Sequence, residues 1–194
     1  MYQPLLRDSS FFVLLLRCDE DLAAQARAAG CPTCGGALHS AHYRRKPRGG
    51  PGELGAQYEL RQSFCCAVEG CRRRVTPPAL RFLGRKVFFS VWVLLLPVLR
   101  QGPTAQRLSR LEEVFAVSRR TLLRWRRWWR EGVPASRFWQ ARSGDWTLPV
   151  APEALPSSLM AAFSHLAPAS QQVLAVLRWL VLPTWGADRW ERGL

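Results

Sequence analysis

The chain has 194 residues, with 28 Lys and Arg against 14 Asp and Glu, so its formal net charge at pH 7 is +14. This excess predicts an anionic partner, and a hydrophobic content of 48% is enough for a folded core. The longest apolar run, residues 87–99, contains Pro97 and is shorter than the roughly 20 residues that a membrane-spanning helix needs. Residues 11–16 lack the surroundings of a signal peptide, so we expect a cytoplasmic protein with no membrane partner.

Residues 1–30 form the first predicted stretch. An apolar strand or helix at residues 11–16 is followed by a helix over residues 19–29, which has acidic residues near its start. Cys18 stands alone after the apolar run and is interpreted as a buried thiol.

Residues 31–80 carry the cysteine pattern of a zinc ribbon. The motif Cys31-Pro-Thr-Cys34-Gly-Gly has the spacing of a zinc knuckle, and a second group, Cys65-Cys66-Ala-Val-Glu-Gly-Cys71, follows it. Strands are predicted over residues 37–45 and 58–66, joined by a turn rich in Gly and Pro. Cys66 shares the apolar face of the second strand, whereas Cys65 lies on the other face. We therefore predict a structural Zn²⁺ ion bound by Cys31, Cys34, Cys66 and Cys71.

Other interpretations of the cysteines are weaker. A disulfide framework does not suit a cytosolic chain, and the Cys-x-x-Cys motif lacks the strand and helix of a thioredoxin-type redox site. Replacement of one zinc ligand by Cys65, His39 or His42 stays open.

Residues 82–132 predict a helix-turn-helix domain. Helices are expected over residues 87–100, 104–115 and 118–131, with Gly102-Pro103 between the first two. Ser118 is a suitable N-cap for the third helix, and Ala116 stands in the turn where such motifs often carry Gly. The fold class is therefore mainly α with a small β zinc ribbon, and the helix-turn-helix belongs to a homeodomain-like three-helix core.

The third helix has two faces of different chemistry. Leu122 and three tryptophans share one side, which we expect to be buried. The opposite side carries six arginines with no acidic partner and one apolar residue, Leu123, so it is suited to a polyanion. The predicted DNA-binding residues of this helix are Ser118, Arg119, Arg120, Thr121, Leu123, Arg124, Arg126, Arg127 and Arg130.

The predicted ribbon is also basic. Its candidate DNA-binding residues are Arg44, Arg45, Lys46, Arg72, Arg73 and Arg74, and Arg81, Arg85 and Lys86 continue the trend.

Residues 133–194 form a predicted C-terminal helical tail. Helices are expected over residues 152–166 and 170–182, and the second has a broad apolar face. That face must pack on the rest of the chain or on a partner, so a homodimer through these helices is one hypothesis.

Together these motifs resemble the DNA-recognition part of bacterial transposases and of transposon-associated proteins. The resemblance rests on Cys31-Pro-Thr-Cys34-Gly-Gly, on the second cysteine group with its trailing arginines, and on residues 117–122 with Trp125; it covers residues 31 to 130. It implies zinc-ribbon and helix-turn-helix modules that bind element ends, with a separate transposase or recombinase subunit as a partner. For the basic chain itself we expect a location on the bacterial nucleoid. Such transposases also carry three catalytic carboxylates, but no Asp and Glu of this chain sit on a suitable strand and helix frame. We therefore predict no catalytic residues.

The sequence favours sequence-directed binding of double-stranded DNA. The alternative is a nonspecific RNA-binding, single-stranded DNA-binding or assembly module, in which exposed aromatic side chains stack on bases. Burial of the tryptophans distinguishes the two, because a tryptophan in the core cannot stack on a base. A degenerate transposase fragment is a third interpretation.

Overall fold

The structure, a computed structural model, describes residues 2–51, 54–84, 86–99, 113, 115–145 and 150–181. These residues form mainly α-helices with small antiparallel sheets, as predicted. No helix within these ranges is long and apolar enough to cross a membrane. The predicted division into four stretches stays a prediction.

The N-terminal stretch is one long helix. After a 3-10 turn at Gln3–Leu6, helix α1 spans Ser9–Ala29, and the Asp8 carboxylate caps it by accepting hydrogen bonds from two backbone N–H groups. Buried residues recur along it at helical spacing from Phe11 to Ala26, so the apolar run and the following helix are continuous. Cys18 is buried, as expected, and its Sγ lies 3.6 Å from a guanidinium nitrogen of Arg178.

Five short strands follow α1. They are β1 (Leu38–Ser40), β2 (Tyr43–Arg44), β3 (Leu60–Arg61), β4 (Phe64–Cys66) and β5 (Arg74–Val75). Strand β1 pairs antiparallel with β4, and β2 pairs antiparallel with β3, so each arm of the predicted hairpin is split in two. Strand β5, which the sequence did not predict, pairs with the other side of β4.

A buried ion pair joins α1 to the sheet region, which comprises residues 38–75 from β1 to β5. The Arg81 side chain is fully buried, and its Nε donates to Asp19 Oδ2 at 2.7 Å. Its other nitrogens donate to the backbone carbonyls of Tyr58 at 2.8 Å and Leu60 at 2.9 Å. The prediction that Arg81 continues the basic surface is therefore wrong, because the fold uses this guanidinium internally.

Two helices dominate the centre of the chain. Helix α2 spans Ser90–Leu99. Helix α3 spans Arg119–Arg127 and continues into a π-helical turn at Trp128–Gly132, and the name α3 covers both. Helix α2 begins later than predicted, because Phe88 and Phe89 form β-bridges in extended backbone instead. The predicted helix 104–115 lies outside the described residues except for Glu113 and Phe115, both of which are helical.

The turn before α3 contains a residue in the left-handed region. Ala116 has φ of 50°, and Ser118 caps the helix by accepting a hydrogen bond from the Thr121 N–H. A left-handed conformation disfavours any residue with a Cβ, which explains why Gly is common at this position of such turns.

Ala116→Gly should therefore raise the free energy of unfolding by about 1 kcal/mol, because it removes this backbone strain. Ala24→Gly is the matched control: Ala24 is exposed within α1, where glycine should destabilise by about 1 kcal/mol. Urea unfolding of both variants would show opposite signs, and equal destabilisation would contradict the assignment of a strained turn.

The C-terminal stretch contains three described helices. These are α4 (Arg137–Arg142), which was not predicted, α5 (Ser157–Ala162) and α6 (Ala169–Val181). The apolar residues of α6, including Val173, Val176 and Leu177, lie in the same hydrophobic cluster as α2 and α3. The rest of the chain thus covers the apolar face of α6, on which the homodimer hypothesis rested.

Candidate metal centre and basic helix

The structure brings four cysteines together. The Sγ atoms of Cys31, Cys34, Cys66 and Cys71 all lie within 4.8 Å of one another. Two of the distances are 3.8 Å, between Cys31 and Cys71, and 3.4 Å, between Cys34 and Cys66. A disulfide requires about 2.05 Å, so these thiols are close but not bonded to one another. All six cysteines of the chain are free.

These distances fit a tetrahedral metal ion. With Zn–S bonds of about 2.3 Å, a regular tetrahedron has S–S edges of about 3.8 Å, which lies inside the observed range. The ligand set would consist of thiolates alone and would leave no open position, which is typical of a structural site.

Two tight turns hold the cysteines in place. In the first, the Cys31 N–H donates to Gly36 O at 2.8 Å, and the Gly35 N–H donates to Cys31 O at 2.8 Å. In the second, the Cys71 N–H donates to Val68 O at 3.1 Å. A Cβ on Gly36 would lie 2.3 Å from a Val68 methyl group and 3.3 Å from two of the sulfurs, so this position has no room for a side chain.

Backbone N–H groups also point at the sulfurs. Hydrogen bonds from Thr33 and Cys34 lower the pKa of Cys31 to about 6, so this thiol ionises readily. Burial raises the pKa of Cys66 to about 12, because the thiolate would be charged in an apolar environment. A metal ion would have to displace that proton, and its positive charge would then stabilise the thiolate.

The alternatives for the fourth ligand are placed elsewhere. Cys65 lies on the opposite face of β4, and its Sγ donates to Arg72 O at 3.4 Å. His42 Nδ1 accepts a hydrogen bond from the Ser63 N–H at 3.1 Å, and neither His42 nor His39 joins the cluster.

Helix α3 buries its aromatic side as expected. The exposed fractions of Trp125, Trp128 and Trp129 are 2%, 7% and 0%. The Trp129 Nε1 donates to Val93 O at 2.9 Å, and the Trp125 ring packs edge-on against Phe88 at 4.9 Å. The tryptophans therefore attach α3 to α2 and to the segment before it.

The opposite side of α3 faces solvent. Five of the six arginines and Leu123 are exposed, whereas Arg126 is half-buried and Ser118 and Thr121 bond to each other at the N-cap. The expectation that none of these arginines has an acidic partner is wrong for one of them: Arg127 Nε lies 2.7 Å from a carboxylate oxygen of Glu131. The exposed arginines are Arg119, Arg120, Arg124, Arg127 and Arg130.

The basic residues of the sheet region have mixed roles. Lys46, Arg72 and Arg73 are exposed. Exposed Arg44 lies 3.8 Å from the Glu59 carboxylate, and exposed Arg74 stacks over Tyr43. Arg45 is half-buried, donates to Gly84 O at 2.8 Å and to Lys86 O at 3.2 Å, and stacks over Phe82.

The Arg45 guanidinium thus forms hydrogen bonds inside the fold. Burial lowers the pKa of Arg45. As with Arg81, the cluster of basic residues in the sequence does not show which side chain forms hydrogen bonds inside the fold.

Lys86 contacts one particular aromatic ring, which the sequence did not predict. Its Nζ lies 4.3 Å from the centre of the Trp128 ring, at the edge of α3. The sequence signal for this contact is weak, since Lys86 looks like one more residue of a basic cluster.

Comparison of the chain with protein-family models, with curated proteins and with solved structures gives no significant match.

Proposed function

We propose that this chain is a sequence-directed, double-stranded DNA-binding protein that uses a helix-turn-helix and a zinc ribbon. The observation that carries the proposal is the division of α3 into a tryptophan side buried against α2 and a solvent side with five exposed arginines. Such a helix is held rigidly while its cationic face stays available to a groove lined by phosphates.

The turn before α3 supports the helix-turn-helix part of the proposal. Ala116 adopts the left-handed conformation that such a turn needs, and Phe115 and Val117 on either side of it are buried. Ser118 then starts α3 with its side chain as the cap. In this arrangement the first turn of α3 approaches base edges, with Arg119 and Arg120 leading.

Burial of the tryptophans favours duplex DNA over single strands. Stacking on unpaired bases needs an accessible aromatic ring. The three tryptophans of α3 are in the core instead. Arginine, by contrast, can form two hydrogen bonds with the O6 and N7 atoms of guanine in the major groove.

The cysteine cluster supplies the second part of the proposal. Four thiolates in a tetrahedral arrangement favour Zn²⁺. The ion would hold β4 and the two turns together, so that the exposed arginines at residues 72–74 form additional phosphate contacts. We further propose that the protein is transposon-associated and acts beside a separate transposase or recombinase subunit; this part rests on the motif resemblance alone.

Arg120→Ala should lower affinity for a preferred duplex by about 1–3 kcal/mol and relax base preference, since Arg120 lies near the N-terminus of α3. Arg130→Ala should weaken preferred and scrambled duplexes equally and reduce the salt dependence, as expected for a phosphate contact. Fluorescence anisotropy across a salt series measures both effects.

Arg17→Ala is the charge-matched control. Arg17 is exposed on α1, on a surface that also carries Glu20 and Asp21, so this substitution should leave DNA affinity almost unchanged. If Arg120→Ala weakened both duplexes by the same factor, Arg120 would not read bases.

A further inference from the structure

The backbone around Lys86 is fixed from several sides. The Arg45 guanidinium binds the carbonyls of Gly84 and Lys86, and the Lys86 N–H donates to Leu83 O at 3.2 Å. On the next residue, the Val87 carbonyl accepts a hydrogen bond from the Arg48 N–H at 2.8 Å. Lys86 therefore projects from a segment whose position is set by the sheet region.

The side chain of Lys86 reaches α3. Its ammonium lies over the Trp128 ring, and Arg124 precedes Trp128 by one helical turn. Arg120 precedes Arg124 by another turn, so the two arginines form a row that leads to the edge of the buried side, where Lys86 lies over Trp128.

Among the residues that the structure describes, no carboxylate balances this end of the row. Within the described ranges, neither Lys86 nor Arg124 takes part in an ion pair, and the acidic side chains bound to arginine are Asp19, Glu59 and Glu131. Burial, together with the charge of Arg124, lowers the pKa of Lys86 to about 8. Two neighbouring cations, one of them half-buried, thus repel each other in the protein alone.

We propose that Lys86 and Arg124 form a binding site for a phosphate group of the DNA backbone, beside the C-terminal half of α3. This inference rests on the proposed function and adds a specific contact to it. A phosphate between the two side chains would remove their repulsion and would accept charge-assisted hydrogen bonds from both. Lys86 is held by the sheet region, whereas Arg124 belongs to α3. One phosphate would therefore be contacted by both parts of the protein.

The affinity of metal-loaded Lys86→Met and Lys86→Arg for duplex DNA, measured from 50 to 200 mM salt, tests this site. Loss of one phosphate contact should reduce the slope of log affinity against log salt by about 0.9, so the change in Kd over this range should be about 3.5-fold smaller than in the wild type. Met keeps an apolar chain over Trp128, which preserves the packing, while Arg keeps the charge and should restore the slope. The loss should be the same for preferred and scrambled duplexes.

Arg17→Met serves as the control for net charge, because its surface carries carboxylates. A wild-type slope for Lys86→Met, with Arg120→Ala still impaired, would overturn the phosphate site and leave the proposed function standing. If the wild type bound no duplex at all, both proposals would fail.

Chemical labelling offers a second test that needs no variant. The chain has only two lysines, Lys46 and Lys86, so acetylation at each can be followed separately by mass spectrometry. Saturating duplex should slow acetylation of Lys86, and an unchanged rate in the bound protein would contradict the contact.

Discussion

Replacing Asp19 with Asn is expected to lower the free energy of unfolding by about 3–5 kcal/mol, because it leaves a buried guanidinium without its counter-ion. The Asp19 carboxylate accepts hydrogen bonds from both the Leu80 N–H and Arg81 Nε, and both side chains are at most 1% exposed. Burial raises the pKa of Asp19, while the charge of Arg81 and the hydrogen bonds from Arg81 and Leu80 oppose that shift. The interaction is therefore strong only while both partners are present.

Urea denaturation of Asp19→Asn beside Glu131→Gln provides the measurement. Glu131 also pairs with an arginine, but that pair is well exposed, so its loss should change stability by less than about 1 kcal/mol. Similar, small effects for the two variants would show that the buried pair does not join α1 to the sheet region as described.

Replacing Cys66 with Ser should abolish tight metal binding and unfold or strongly destabilise the sheet region. Structural zinc sites in small peptides contribute about 10–16 kcal/mol of binding free energy at pH 7, and that energy is available only to the folded state. Cys66 is fully buried within the cluster, and its Sγ approaches Cys34 Sγ at 3.4 Å. Metal content after zinc reconstitution and dialysis, together with the melting temperature, would report the loss.

The adjacent residue provides a matched control. Cys65→Ser removes the same atom from the opposite face of β4, where the thiol contacts the Arg72 carbonyl instead of the cluster. This variant should retain one equivalent of zinc and a melting temperature close to that of the wild type. Equal metal loss in both variants, or a wild type that retains no zinc, would reject the four-cysteine site.

Local patterns in the sequence predict much of this arrangement. Strand alternation correctly places Cys66 on the buried face of β4, and the burial of Trp125 and Trp129 follows from their spacing within α3. The capping role of Ser118 is likewise a local property, since it depends only on the residues that follow it. These features need no information about distant parts of the chain.

The long-range partners of the internal arginines could not be predicted from local sequence patterns. Arg81 and Asp19 are 62 residues apart, and neither position differs from an ordinary surface charge when read alone. Arg45 was interpreted as a DNA contact, although the carbonyls that it binds belong to a turn about forty residues later. A single sequence shows the charge of an arginine but not the buried carbonyls that will surround it.

These internal arginines also define which surface is left for a partner. Once Arg81 and Arg45 are assigned to the fold, the candidate DNA-binding residues that stay exposed include five arginines of α3, Lys46 and the arginines that follow Cys71. Lys86 lies between α3 and the sheet region, over Trp128 and beside the Arg45 hydrogen bonds. This distribution leads us to expect a phosphate backbone that passes both the helix and the sheet region.

Selection from a random pool of duplex DNA at physiological salt tests the central claim most directly. Zinc-loaded wild-type protein should enrich a defined sequence motif, and Arg120→Ala should weaken or lose that motif while Arg17→Ala retains it. An absence of enrichment, with binding that collapses as salt rises, would contradict sequence-directed recognition and identify a nonspecific polyanion binder.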